Sequence, residues 1–249
     1  MGQRAALAIV ILLSLTGRAS GEDGNDSLLT PLRIAVAANF KPVIDDLAEA
    51  YNSKRNISIS TGSTGALTAQ IKNGAPYDIF LAADVNRPEY LERLGLTRIR
   101  QTYAFGRLAF WRPHSRPMGA ADLTELSTSI AIANPRHAPY GRAAEHVLLI
   151  TGNNKSKRIK GNNVAQAFSF VQTGNVDAGL VALSQLRHKG IEKKEYWIIP
   201  ADLYQPIEQQ AVIMREANTV AESFLHFMDS NLARRIIQDA GYTLVNHLD

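Results

Sequence analysis

Hydroxyl and amide side chains stand at loop-to-helix junctions in four places along this 249-residue chain. Ser63 and Thr64 lie between Gly62 and Gly65 and are followed by an amphipathic run with Leu67 and Ile71, so the hydroxyl pair falls on a loop feeding a helix N-terminus. Asn39 sits in A-A-N-F (37–40), between an apolar run and a helix-patterned one. Tyr140 follows Pro139 in N-P-R-H-A-P-Y-G (134–141), and Val164 follows Asn163 in G-N-N-V (161–164). The chemistry on offer is anion binding. A helix start exposes unpaired backbone N–H groups and the positive end of the helix dipole, and neutral donors beside it can wrap an oxygen-rich ligand. No fixed countercharge is among these residues, which suits a dianion that is stripped of water on binding yet must be released. Taken singly, Asn39, Ser63, Thr64 and Asn163 are also ordinary N-caps, and Tyr140 after a proline also serves to cover a surface. Their combination is what points to a site.

Those loops need elements that aim them at one another. Period-2 and continuous apolar runs predict strands at 32–37, 57–60, 78–82, 108–111, 130–133, 178–181, 210–214 and 242–245. Helical stripes predict helices at 40–53, 65–73, 88–94, 141–149, 164–173, 220–229 and 232–240, with Gly74, Gly95 and Gly174 just past three of the ends. Strand–helix alternation argues for parallel sheets covered on both faces, hence an α/β fold in two units. In open sheets of that kind, ligands bind where loops leave the carboxyl ends of strands. The lysine-rich segment 153–163 reads as a solvated connection. With crossings near 104–107 and 206–211, the expected division is 32–106 with 209–249 as lobe 1, and 107–208 as lobe 2.

A hydrophobic content of 45% with 20% charged residues is that of a globular protein, not a disordered one. Arg4 precedes the apolar run 5–15, and small and polar residues follow, the pattern of a secretory signal peptide over 1–21. The apolar run is too short for a membrane span, which needs about 20 apolar residues. Its removal takes Arg4 and Arg18 from the 27 basic residues and none of the 23 acidic ones, leaving a net charge of about +2. That balance favours neither nucleic acid nor a membrane surface as partner. The absence of cysteine excludes disulfides and thiol chemistry.

A hydrolase built on Ser63 would need a partner base. The chain has no G-x-S-x-G elbow, and its six histidines are scattered without a metal-ligand pair at helical spacing. Asp78 and Asp84 flank a strand beside the hydroxyl loop, where turn and hinge hydrogen bonds account for them better than acid–base work. A ligand-sensing module of a regulator would need a DNA-binding segment, and none is recognisable.

Four stretches together carry a resemblance: V-A-A-N-F, G-S-T-G-A-L-T-A-Q-I-K-N-G-A-P-Y-D-I-F-L-A-A-D, N-P-R-H-A-P-Y-G and N-V-A-Q-A-F-S-F-V-Q-T-G-N-V-D-A-G-L-V. The chain resembles the periplasmic molybdate-binding proteins of ABC importers over about 32–245. The resemblance implies a type II periplasmic-binding-protein fold, two α/β lobes with a ligand cleft and two hinge crossings. It also implies a periplasmic, monomeric receptor without enzymatic activity or cofactor. Such a receptor closes on molybdate or tungstate, binds no bare metal cation, and delivers its ligand to membrane permease subunits. By position in the family motifs, Asn39, Ser63, Thr64, Tyr140 and Val164 are the expected ligand residues. Three positions depart from the family pattern: Asn39 stands where a hydroxyl residue is common, Ala182 where many members have a tyrosine, and Tyr140 where such members often have a small residue, so that its phenol could replace the missing one from another direction. Receptors for sulfate or a phosphonate are the neighbouring alternatives, and a periplasmic hydrolase a more distant one.

Overall fold

A computed structural model of the chain describes residues 31–51, 56–117 and 119–245. The expected signal peptide lies outside the described residues. Among the described residues ten strands form two sheets of five, each in its own lobe.

The first sheet runs β2 (Ile57–Gly62), β1 (Leu32–Ala37), β3 (Ile79–Ala82), β10 (Ile207–Met214), β4 (Thr97–Gly106). β1 pairs parallel with β2 and β3, and β10 runs antiparallel to β3 and β4. The second sheet repeats this plan as β7 (Lys157–Gly161), β6 (Ser129–Ala133), β8 (Ala178–Ala182), β5 (Leu108–Trp111), β9 (Tyr196–Ile198). There β6 is parallel to β7 and β8, and β5 is antiparallel to β8 and β9. Because the antiparallel strand of the first sheet is β10, the chain leaves the first lobe after β4 and returns near its end. Only Arg107 separates β4 from β5, so the outgoing crossing is short.

Helices cover the faces: α1 (Lys41–Ala50), α2 (Thr64–Lys72), α3 (Asn86–Arg93), α4 (Ala120–Thr124), α5 (Pro139–Ile150), α6 (Val164–Gln172), α7 (Leu183–His188), α8 (Val220–Met228) and α9 (Asn231–Asp239). Ile34, Val36, Phe80, Val212 and Phe224 share one buried core, and Leu108, Phe110, Ile132, Val147 and Leu180 another. Each such side chain contributes about 1.5–3 kcal/mol of burial.

The structure adds α4, α7 and β9, which the sequence reading did not include, and changes that reading at three further segments. Segment 157–161 is a strand, not a solvated connection: it is an edge strand with Lys157, Arg158 and Lys160 largely exposed, and charge on an edge blocks pairing with other chains. Residues 242–245 make an isolated antiparallel bridge, Phe105 to Thr243, in place of a strand. The polar-rich stretch 97–106 is a ten-residue strand, mostly half-buried, whose arginines and other polar residues hid it from an apolar pattern.

Candidate functional site

Four helices begin where strands of the two lobes end: α1 after β1, α2 after β2, α5 after β6, and α6 after β7. Ser63 caps α2, its Oγ accepting from Ala66 N at 3.3 Å, and Asn163 caps α6, its Oδ1 accepting from Gln166 N at 2.9 Å. Pro139 opens α5, where its fixed φ fits and its missing N–H costs nothing. The first turns of all four helices lack an acidic residue, whereas α3, α4 and α8 carry Glu89, Asp122 and Glu222 there. The positive ends of the first four are therefore left to whatever lies between them.

What lies between them is one small pocket. Its walls are Ala37, Ala38 and Asn39, Gly62, Ser63 and Thr64, Ala83, Ala138 to Tyr140, Asn163 and Val164, without a charged side chain. The cavity is about 10 Å³, space for about one water molecule as the lobes stand, so a larger solute requires them to move apart. All five residues singled out in the sequence are brought together here. Among the described residues, no hydrogen bond uses the backbone N–H of Asn39, Ser63, Thr64, Tyr140 or Val164. The Thr64 hydroxyl oxygen accepts from Ala83 N at 3.2 Å, which leaves its hydrogen to donate, and Ser63 is placed the same way by its cap bond.

Two side chains point elsewhere than a sequence reading suggests. Asn39 is 1% exposed, and its Nδ2 donates backward, to Gln209 Oε1 at 2.9 Å and Tyr242 Oη at 3.0 Å. Its carbonyl accepts from Ser184 Oγ and from Tyr242 Oη, both at 2.9 Å. Asn39 thus faces the pocket with backbone, and its amide braces the loop from behind. The Tyr140 hydroxyl lies at the crossing: a Cβ on Gly106 would stand 2.3 Å from it and 2.6 Å from Gln209 Nε2, so a larger residue at 106 would force both side chains to move. By strict geometry neither of those two polar atoms has a partner, although the Tyr140 hydroxyl lies close enough to Gln209 and to Tyr242 to interact with both. The phenol is turned toward Gly106 and Gln209, and Ala182 is fully buried with its N–H donating to Gln185 Oε1 at 3.3 Å, outside the pocket wall. Burial pushes the Tyr103 and Tyr140 hydroxyls well up, and that of Tyr242 up to about 12, so all three stay neutral behind the pocket.

A second group of contacts, which sequence reasoning missed, joins the lobes at the pocket's rim. Gly65 N donates to the His137 carbonyl at 2.9 Å, and a Cβ at 65 would come within 3.0 Å of that oxygen. Asp84 receives Arg87 from its own lobe and Arg142 Nη2 from the other at 2.8 Å. Asp84 stands beside the hydroxyl loop, but nothing in the sequence pairs it with a residue 58 positions away. Asp78 is occupied by Arg33, accepting from its backbone N, Nε and Nη2. Among the described residues there is no cluster of three or more His, Asp or Glu that could hold a metal ion, and no helix long and apolar enough to cross a membrane.

Two α/β lobes joined by two crossings, with strand-end loops of both facing one neutral pocket, define a two-lobed solute-binding protein. Residues 32–243 match the family model of bacterial extracellular solute-binding proteins. The molybdate-binding protein ModA of Azotobacter vinelandii is 39% identical over 226 residues, covering 86% of this chain and 90% of that protein. ModA of Rhodobacter capsulatus is 34% identical over 249 residues, 95% of this chain and 94% of the relative. The solved structure of the Azotobacter vinelandii periplasmic molybdate-binding protein superposes with a TM-score of 0.80 at 36% identity, covering 86% and 99% of the two chains. The chain belongs to the bacterial extracellular solute-binding protein family, in its ModA-like group, whose members are binding proteins and not enzymes.

Proposed function

We propose that the protein is exported after removal of 1–21 and works as a monomer in the periplasm. There it captures molybdate or tungstate between its lobes and presents it to the permease subunits of an ABC importer. The lobes in this proposal are 32–106 with 209–249, and 107–208. Asn39, Ser63, Thr64, Tyr140 and Val164 surround the oxyanion, the first three from one lobe and the last two from the other. The convergence of four acid-free helix starts on one uncharged pocket carries the reading. The likeness to ModA of two bacteria supports the choice of ligand.

The magnitudes agree. Hydrogen bonds to a charged ligand contribute about 1.5–3 kcal/mol each, so five N–H groups and two hydroxyls give roughly 10–20 kcal/mol gross. Costs of association and ordering of about 4–15 kcal/mol leave micromolar to nanomolar affinity in reach. A ligand that touches both lobes stabilises the closed form by its differential affinity, and a permease can read that form. Sulfate has the same charge and acceptors, so discrimination falls to cavity size, which backbone donors hold firmly.

Calorimetric titration of the mature, anion-free protein with molybdate, tungstate, sulfate and phosphate tests the proposal. One-to-one binding of the two large oxyanions with sulfate silent is the expected result. Preference for sulfate or phosphate would retire the molybdate reading and keep the fold.

A further inference from the structure

Against the anion pocket lies a second cavity, of about 270 Å³, that shares Ala83 and Pro139 with it and is further lined by Asp84, Arg142, His146 and Gln205. One of its walls is an ion-pair cluster that belongs to both lobes. Asp84, which follows β3, is 7% exposed, and its Oδ2 meets both Arg87 Nη1 and Arg142 Nη2. Arg87 also donates through Nη2 to the Arg136 carbonyl of the opposite lobe at 3.3 Å, beside the Gly65–His137 bond.

We propose that Asp84, Arg87 and Arg142 form a charged clasp that sets oxyanion affinity without touching the ligand, with Arg142 as its positioning residue. The inference rests on the capture function proposed above and deepens it. Two consequences follow from the geometry. Arg142 is on α5 two residues beyond Tyr140, so pairing it with Asp84 holds the α5 start, and the Tyr140 N–H, over the pocket. The second consequence is electrostatic. Asp84 adjoins Ala83 in the pocket wall, where a lone carboxylate would repel a dianion. With Arg87 alone the cluster is neutral. Closure adds Arg142 and makes it net positive, so the field at the pocket favours an anion most in the closed form. An ion pair on an open surface would contribute little, but here one carboxylate oxygen is shared by two guanidinium groups and is largely out of water.

The test compares the mature protein with Arg142→Gln and Arg142→Lys by molybdate calorimetry at about 50 and about 500 mM NaCl, where screening of the half-exposed Arg142 differs strongly. Small-angle scattering of the ligand-free proteins accompanies it. The clasp predicts that Arg142→Gln binds about tenfold more weakly at low salt and shows a shallower salt dependence than the native protein. It predicts a more open ligand-free form, and partial recovery in Arg142→Lys. Affinity within twofold of native at both salts, with unchanged scattering, would overturn it and leave an ordinary rim salt bridge. If the native protein bound neither molybdate nor tungstate, the function proposal would fall, while the scattering of ligand-free Arg142→Gln would still decide the clasp. Should Arg142→Gln fail to fold, the salt dependence of Arg142→Lys against the native protein decides it.

Discussion

The anion pocket and the clasp touch at Ala83 and Pro139, yet they are built from opposite materials. The pocket is walled by backbone, hydroxyls and small apolar side chains with no charge, whereas the clasp is two arginines on one carboxylate. The difference follows from what each must do. A buried countercharge in the pocket would meet the ligand in low dielectric and cost several kcal/mol when left unpaired after release. Charge at the rim stays partly hydrated, with Arg142 42% exposed, so it can part and re-form as the lobes move. Binding by neutral donors and closing by charge are thus assigned to neighbouring but separate groups.

That division can be broken most severely at Gly65, which follows Thr64 of the pocket and where an added Cβ would stand 3.0 Å from Arg87 Nη2 of the clasp. Gly65→Val would push its branch against the His137 carbonyl and deny the ligand the donors of the second lobe. Losing two charge-assisted bonds of about 1.5–3 kcal/mol each predicts molybdate affinity lower by more than about 100-fold, read by calorimetry, with circular dichroism unchanged. Behind the pocket the test is alkaline pH. Tyr242 is raised from 10.0 to about 12, so the folded state keeps a proton that the unfolded chain loses. The resulting stability is complete below about pH 10 and is lost as pH rises through about 12, up to about 3 kcal/mol. Melting curves across that range, with tyrosinate absorbance, should show the two events together; a flat melting temperature would contradict it.

Within the pocket, Thr64→Val removes a donor and strands the Ala83 N–H, and should weaken molybdate roughly 10- to 100-fold while the fold persists. Unchanged affinity would take Thr64 out of the site. The smallest effect is expected for Tyr140→Phe. Its hydroxyl is turned to Gly106 and makes no well-formed bond, so affinity should hold within about twofold and the melting temperature should hold or rise. A tenfold loss would put the phenol on the ligand and blur the line between pocket and hinge.

The helix starts at Ser63, Thr64, Tyr140 and Val164 were legible because such starts are local events: a cap residue, a proline at the first position and an apolar stripe lie within a few residues of one another. The alternation of strands and helices was legible for the same reason. β7 was hidden because an edge strand carries charge where a central one carries apolar residues, although it is the strand that delivers the Val164 loop to the pocket. Asn39 lines the pocket, but the direction of its amide depends on Gln209 and Tyr242, 170 and 203 positions away.

By itself the sequence determined the α/β class, four helix starts and the neutral character of their donors, since each depends on residue type and short-range spacing. Only the tertiary structure decided that those starts meet in one pocket, that Tyr140 turns its hydroxyl to the crossing, and that Asp84 is held from both lobes. These are contacts between segments that become neighbours when two sheets close on each other, and no periodicity along a chain encodes which side chains will then face one another.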